Sequence, residues 1–431
     1  MTQKPDSAHR DAAVAAQYEQ YPYPARDPRE EARRLIVGSP SNLPEMDHIV
    51  FDGGLWGRAE RAASPLRVLV AGGGTGDATV MMAQQFSDAE LPVEITYLDM
   101  SEAARKIAEA RIGARDLKTV RFVTGSLLDV QTLAPGPYDY IDCCGVLHHL
   151  EDPLSGLRAL RAVLADDGGM GLMVYGALGR TGVYHFQEMM RLLGGEAAGT
   201  ETPNARMQTG RKLYRTLPPS NWLRLNPVIT DLSKVEDADF YDTVLHTRDR
   251  AYTVPELCVW LNDSGLDIAA FALPVRYMPE TYLNDPALKR QAESLGREQK
   301  WAMAELLSGA IKAHAFYAVP KEHVTVGQPL VPTLQHVPVL TGVGGAEMAR
   351  GLAKSATVKT RIDGVEVSFP LPRPALRILA QIDNSRTLEA VLDVLRGEDA
   401  SWDGDKLLKM FQPLYEALHA LGQLFLRSDM R

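Results

Sequence analysis

The sequence predicts an α/β fold organised around a mainly parallel sheet, and three observations predict it. A β-branched strand, Val68-Leu69-Val70-Ala71, runs into the glycine turn Gly72-Gly73-Gly74-Thr75-Gly76-Asp77 and then into the helix-like Asp77-Ala78-Thr79-Val80-Met81-Met82-Ala83. Strand-like and helix-like segments then alternate through Tyr175. Those strands end in glycine, acid or small polar residues, as they do where open α/β sheets hold ligands at their C-terminal edge.

The elements follow in order. Glycines spaced two apart make the first turn tight; a missing Cβ permits unusual φ values and close approach of a ligand, and the amides at the helix start are donors. Val93 to Asp99 reads as a second strand closed by a carboxylate. Such a group can accept both hydroxyls of a ribose, while Ser101 is available to cap the helix that runs to Arg111. Val120 to Thr124 leads to Gly125-Ser126-Leu127-Leu128, and Tyr138 to Asp142 leads to Cys143-Cys144-Gly145-Val146-Leu147-His148-His149-Leu150. Leucines at helical spacing from Leu154 to Leu164 precede a turn at Asp166-Asp167-Gly168-Gly169 and a fifth strand, Met170 to Tyr175. A helix with proline in its first turn, Thr253 to Leu261, then precedes a sixth strand, Gly265 to Phe271, and His314 to Val319 reads as the seventh.

Two glycine-turn chemistries compete. The dinucleotide fingerprint G-x-G-x-x-G would need glycine at position 77 if it began at Gly72, and Asp77 stands there. An anionic side chain is unwelcome beside a pyrophosphate, so a nicotinamide-dependent oxidoreductase is disfavoured. A cationic sulfonium ligand tolerates the acid better.

Taken in order, the glycine turn, the strand-end acid, the post-strand Gly125-Ser126-Leu127 and Gly145-Val146-Leu147-His148-His149-Leu150 resemble the class I S-adenosylmethionine-dependent methyltransferases, densely over residues 66–175. The resemblance implies a seven-stranded Rossmann-like sheet with S-adenosylmethionine as cofactor. It implies that Gly72, Gly74 and Gly76 line the methionine and ribose portion, that Asp99 holds the ribose, and that Met100 packs near the adenine. Ser126 and Leu127 would meet the adenine edge, and Cys144 and Gly145 the methionine end. Many relatives carry an acid where Ser126 stands, which weakens the expected adenine contact.

Residues 1–45 are expected to form an arm over that pocket. Tyr18, Tyr21 and Tyr23 lie in a Tyr-Pro-Tyr-Pro context whose prolines favour an extended run, and aromatic faces attract cations such as a sulfonium. The arm resembles that of several methyltransferases in which this element folds over the cofactor. Residues 46–320 are then the methyltransferase domain. It carries insertions at 176–250, read as a helical cap over the acceptor pocket, and at 279–310. A Val-, Gly- and Pro-rich stretch after Pro320 reads as a boundary before a small domain, 330–431, whose short amphipathic helices resemble a winged-helix module of the regulatory type found on some bacterial methyltransferases.

Methyl transfer needs an in-line nucleophile in a water-poor pocket, and a general base where the acceptor starts protonated. Neighbouring residues after a strand point to different sides, so at most one of His148 and His149 is expected to face the acceptor; His148 is the candidate base or orienter. His246 is the other candidate, within Phe240 to Tyr252, a run dense in aromatic, acidic and basic groups. No metal-ligand spacing is apparent.

The chain has 431 residues, enough for two or three domains, and a net charge of -9 that argues against a nucleic-acid or anionic-membrane partner. Three cysteines give no disulfide framework, and neither a signal core nor a spanning apolar stretch is present, so a cytoplasmic location is expected. The acceptor is a small molecule or a protein side chain, methylated at oxygen or nitrogen; a homodimer is one assembly compatible with the chain. A catalytically silent S-adenosylmethionine-binding regulator is the rival reading.

Overall fold

The structure, a computed structural model, describes residue 19 and residues 22–61, 65–194, 202–246, 248–323 and 330–428. Seven strands form one sheet: β1 (Leu66–Ala71), β2 (Val93–Asp99), β3 (Val120–Thr124), β4 (Tyr138–Cys144), β5 (Leu164–Tyr175), β6 (Leu266–Phe271) and β7 (Ala313–Pro320). Their order is β3-β2-β1-β4-β5-β7-β6. All pairings from β3 to β5 are parallel, and β7 runs antiparallel to both neighbours. The chain winds outward from β1 in one direction and from β4 in the other. The crevice at the C-terminal ends of β1 and β4 is therefore the switch point where such sheets bind ligands.

Alternation along the strands builds two cores. Leu69 and Ala71 of β1, Ile141 and Cys143 of β4 and Leu172 of β5 are buried on one face, under helices α4 (Pro153–Arg161) and α7 (Val254–Asn262). Val68, Val70, Ile95 and Tyr140 are buried on the other, under α1 (Leu43–Val50), α2 (Asp77–Asp88) and α3 (Glu102–Ala114). Ser101 caps α3 by accepting the Ala104 amide at 3.1 Å, as its position before the helix predicts.

The turn expected at Asp166 to Gly169 is part of β5. Tyr138 pairs with Leu164 but Tyr140 with Gly169, so the extra residues form a wide bulge. Arg58 reaches both Asp139 and Asp167 there and ties the bulge to β4.

The first insertion is helical: α5 (Val183–Gly194), α6 (Pro203–Thr216) and a π-helical turn, Tyr241–Leu245, close on Phe186, Tyr214, Phe240 and Leu245. The second holds α8 (Pro286–Glu293) and α9 (Arg297–Ser308). Beyond it come β8 (His336–Leu340), α10 (Gly345–Leu352), β9 (Thr357–Ile362), β10 (Val365–Pro370), α11 (Ala375–Gln381), α12 (Leu388–Glu398), α13 (Gly404–Ala420) and β11 (Leu424–Ser428), around a core that includes Leu379, Trp402, Phe411 and Leu414. The hairpin β9–β10 precedes the three helices α11–α13, and β11 pairs antiparallel with β8. Among the described residues no hairpin follows the third helix, where a winged helix carries its wing.

This C-terminal part is docked on the catalytic sheet. His48 of α1 accepts the Leu426 amide at Nδ1, 3.0 Å away, and its Nε2 lies 3.1 Å from the Tyr415 hydroxyl. Asp363, in the β9–β10 turn, pairs with Arg276 and accepts the hydroxyls of Tyr282 and Ser308 at 2.9 and 2.7 Å. No helix among the described residues is long and apolar enough to cross a membrane.

Candidate cofactor and acceptor site

A cavity of about 430 Å³ opens at the switch point. The glycine turn forms its floor. Gly74 has φ +51°, and a Cβ there would come within 2.9 Å of the Tyr23 carbonyl; the turn must be free of side chains at this position because the arm crosses it. Gly76 also has a positive φ, +97°, but its Cβ would meet Ala108 of α3 at 2.8 Å, and it does not line the cavity. The expectation that all three glycines touch the cofactor is corrected accordingly: Gly72 and Gly74 line the cavity, whereas Gly76 lets α2 and α3 pack closely.

Asp99 stands at the end of β2 on the cavity wall. Its two oxygens accept the amides of Gly74 and Ser101, each at 2.8 Å, so the carboxylate is aimed by the turn and by the start of α3. A carboxylate has further lone pairs, which leaves capacity for ribose hydroxyls. Burial pushes its pKa up. Met100, Ser126, Leu127, Cys144 and Gly145 all line the same cavity.

The arm is strapped over the turn. The Thr75 hydroxyl donates to the Pro24 carbonyl at 2.7 Å, and Arg26 forms a two-pronged pair with Asp77 through contacts of 2.8 and 2.6 Å. Arg111, fully buried, reaches Asp77 and Glu31 at 2.6 Å each. Although burial opposes it, these guanidinium groups hold the Asp77 carboxyl below its usual range. Tyr23 lines the cavity; Tyr18 and Tyr21 lie outside the described residues.

Tyr175 at the end of β5, Asp242 in the π-helical turn, Tyr23 and His149 line the same cavity. The Tyr175 hydroxyl donates to Asp242 at 2.9 Å, and burial raises the Asp242 carboxyl to about 6. Arg180 lies over the Tyr175 ring, 3.7 Å from its centre, and pairs with Asp249 at 3.1 Å. π-helical turns are frequent at functional sites, and this one brings Asp242 to the cavity.

The two histidine expectations need correction. His148 is fully buried, does not line the cavity, and neither ring nitrogen has a partner among the described residues; it packs against the Tyr175 ring, 4.0 Å between centres. Its neighbour His149 is the one on the cavity. His149 holds its Nδ1 2.9 Å from the Arg248 carbonyl, which can only accept, so the proton sits on Nδ1 and Nε2 keeps a lone pair. His246 does not line the cavity but stacks behind His149, rings 3.7 Å apart and 23° from parallel. Burial depresses both: His149 to about 4, and His246 well below its ordinary value.

His149, Asp242 and His246 are close enough to invite a metal reading, with ligand atoms within 4.8 Å of one another. The geometry argues against it. Stacked rings send their lone pairs along nearly parallel planes rather than to one point, and Nδ1 of His246 already accepts the Arg248 amide at 3.1 Å.

Sequence reasoning passed over Asp142 and Tyr175 as cavity residues, and took Asp242 only as part of the Phe240 to Tyr252 run. The available signals were the two-residue spacing of Asp142 from Cys144 on β4 and the presence of Asp242 in the aromatic and charged run before Tyr252. The second insertion contributes none of the lining residues; it receives Asp363 instead.

Comparison with known proteins agrees with this geometry. A family described as a methyltransferase domain matches residues 69–170. The uncharacterized protein syc1184_c of Synechococcus sp. is 33% identical over 319 residues, 73% of this chain and 72% of that one. The tRNA 5-carboxymethoxyuridine methyltransferase of Escherichia coli is 35% identical over 125 residues, 28% of this chain and 44% of that enzyme. PKMT2 from Rickettsia typhi, solved in complex with AdoHcy, shares the fold with a TM-score of 0.60 at 15% identity, over 91% of this chain and 78% of that one. The turn, the strand-end acid and the cavity fit S-adenosylmethionine, and the chain belongs to the class I S-adenosylmethionine-dependent methyltransferases, an enzyme family whose cofactor it shares.

Proposed function

We propose that the methyl acceptor is an amine nitrogen, carried by a protein side chain or a small metabolite and presented beneath the helical cap. The observation that carries this reading is Asp242: a buried carboxylate at the acceptor end, beside the rings of Tyr175 and Tyr23. When bound, S-adenosylmethionine supplies an electrophilic methyl group. An acceptor that arrives as an ammonium must first lose a proton to expose its lone pair. A carboxylate near 6 is matched to hold an ammonium and to take its proton close to neutral pH, and aromatic faces favour the cation. A hydroxyl acceptor would gain less from this wall. The Tyr175 hydroxyl fixes the orientation of Asp242, and His149 offers Nε2 alongside. The net charge of -9 speaks against a nucleic-acid acceptor.

Transfer of labelled methyl groups into size-fractionated cell extract tests the reading. The expected product keeps its label through alkali, as N-methyl groups do, and Asp242→Asn lowers kcat by about a hundredfold, the scale of a lost proton acceptor. An alkali-labile product, or wild-type turnover in the variant, would remove the amine assignment.

A further inference from the structure

Val70 of β1 and Asp142 of β4 are register partners, one and two residues before the ends of their strands, and both line the cavity. Asp142 shares its strand face with Tyr140 and Cys144, its register partner Val70 is apolar, and the apolar Val146 and Met173 line the same cavity. The residue is only 2% exposed. Its Oδ2 is held twice, by the Ser41 hydroxyl at 2.5 Å and by the Cys144 thiol at 3.4 Å. Its Oδ1 takes no hydrogen bond from a described residue and is not sealed from the cavity. No arginine or lysine among the described residues offsets its charge.

A buried carboxylate with one oxygen committed and the other idle is costly to keep, and an apolar residue would complete this wall at lower cost. The framework behind it is nevertheless specific. Ser41 is itself in the left-handed region, φ 80°, with its amide donating to the Tyr317 hydroxyl at 2.9 Å; Tyr317 in turn donates to Glu45 at 2.8 Å. These groups aim Asp142 rather than neutralise it. What is missing at Oδ1 is a positively charged hydrogen-bond donor that comes with the ligand.

We propose that Asp142 is the anchor for the α-ammonium group of the methionine moiety of S-adenosylmethionine, which it receives at Oδ1 while Ser41 and Cys144 hold Oδ2. The cofactor has two cationic centres, and the choice between them follows from hydrogen bonding: an ammonium has three N–H donors, whereas a sulfonium has none and would leave Oδ1 unsatisfied. The position also fits, since Asp142 lies two residues below Cys144 at the end expected to face the methionine.

Calorimetry on the full chain tests this with S-adenosylmethionine, S-adenosylhomocysteine and 5′-methylthioadenosine, which keeps the adenosine and the thioether but lacks the amino acid. In Asp142→Asn the first two should each bind tenfold or more weakly, and by the same factor, while 5′-methylthioadenosine binds as it does to wild type. Loss confined to S-adenosylmethionine would assign Asp142 to the sulfonium; an equal loss for all three ligands would make its role structural; unchanged affinities would remove it from binding. Each result overturns the proposal. A second measurement needs no variant: on the wild-type protein, S-adenosylhomocysteine without its amino group should bind tenfold or more weakly than the parent, and equal binding would refute the anchor.

Discussion

The hydroxyl of Thr75, in the middle of the glycine turn, donates to the carbonyl of Pro24, 2.7 Å away. Through this bond the turn that lines the cavity and the arm that crosses it become one unit, with Arg26 on Asp77 as the second fastening. Removing residues 1–28 should therefore weaken cofactor binding while leaving the sheet folded. Arg26→Ala alone should cost about 1 kcal/mol, roughly a fivefold rise in Kd, because the pair is partly exposed. Calorimetry with S-adenosylhomocysteine checks both, and wild-type affinity in the truncated chain would reduce the arm to packing.

Asp99 gives the sharpest test of cofactor geometry. Its carboxylate organises Gly74 and Ser101 and has lone pairs left for the ribose. In Asp99→Ala two amides and the ribose hydroxyls lose a charged acceptor, so affinity should fall by about 2 kcal/mol or more. Affinity equal to wild type would mean that the ribose is held elsewhere.

These features were legible in the sequence because they are local. A strand, a glycine turn and a strand-end acid each announce themselves within ten residues, and Ser101 caps its helix as its place dictates. Asp142 and Asp242 were not, because their roles arise from pairing between distant segments: Val70 with Asp142 across β1 and β4, and Tyr175 with Asp242 across the cap. The reading of His148 failed for a related reason. The 3-10 turn Leu147–His149 replaces strand alternation, so the side facing the cavity cannot be counted from β4. Gly76 looked like its neighbours until Ala108, from another helix, was placed against it.

Glu45 should leave a measurable mark on the pH dependence of stability. Burial raises its carboxyl to about 7, with the hydroxyls of Ser39 and Tyr317 working in the opposite direction. The folded protein thus holds this proton more tightly than the unfolded chain, where the carboxyl titrates near ~4.3. Stability from this group is full below that value and is lost as pH rises through about 7, on the order of 3 kcal/mol. Asp47, Asp142 and Asp242 are raised by burial in the same direction, and the buried His48, His148, His149 and His246 oppose them. Comparison with Glu45→Gln isolates the one contribution. The melting temperature of wild type should fall relative to the variant between pH 4 and 7, and parallel profiles would show that Glu45 titrates in the folded protein as it does in the unfolded chain.

The C-terminal part should be needed for stability even though none of its described residues lines the cofactor cavity. Its docking is built like a core: Val275 of the catalytic domain is buried with Ile362 and Ala420, and His48 bridges Leu426 and Tyr415 at the other end of the contact. Arg276 adds a charge whose partner, Asp363, is supplied only from the β9–β10 turn. Asp363→Ala leaves that guanidinium and the hydroxyls of Tyr282 and Ser308 without their acceptor. It should lower stability by about 2 kcal/mol while leaving cofactor affinity within twofold. Ending the chain at Pro320 goes further, because it exposes the apolar side of the contact as well as Arg276, and the product should aggregate or melt well below the full chain on heating. Both outcomes can be read by calorimetry and light scattering. A chain ending at Pro320 that stays monomeric, melts at the wild-type temperature and binds S-adenosylhomocysteine normally would show that the docked surface contributes nothing to the fold, and that Arg276 is as well served by water as by Asp363.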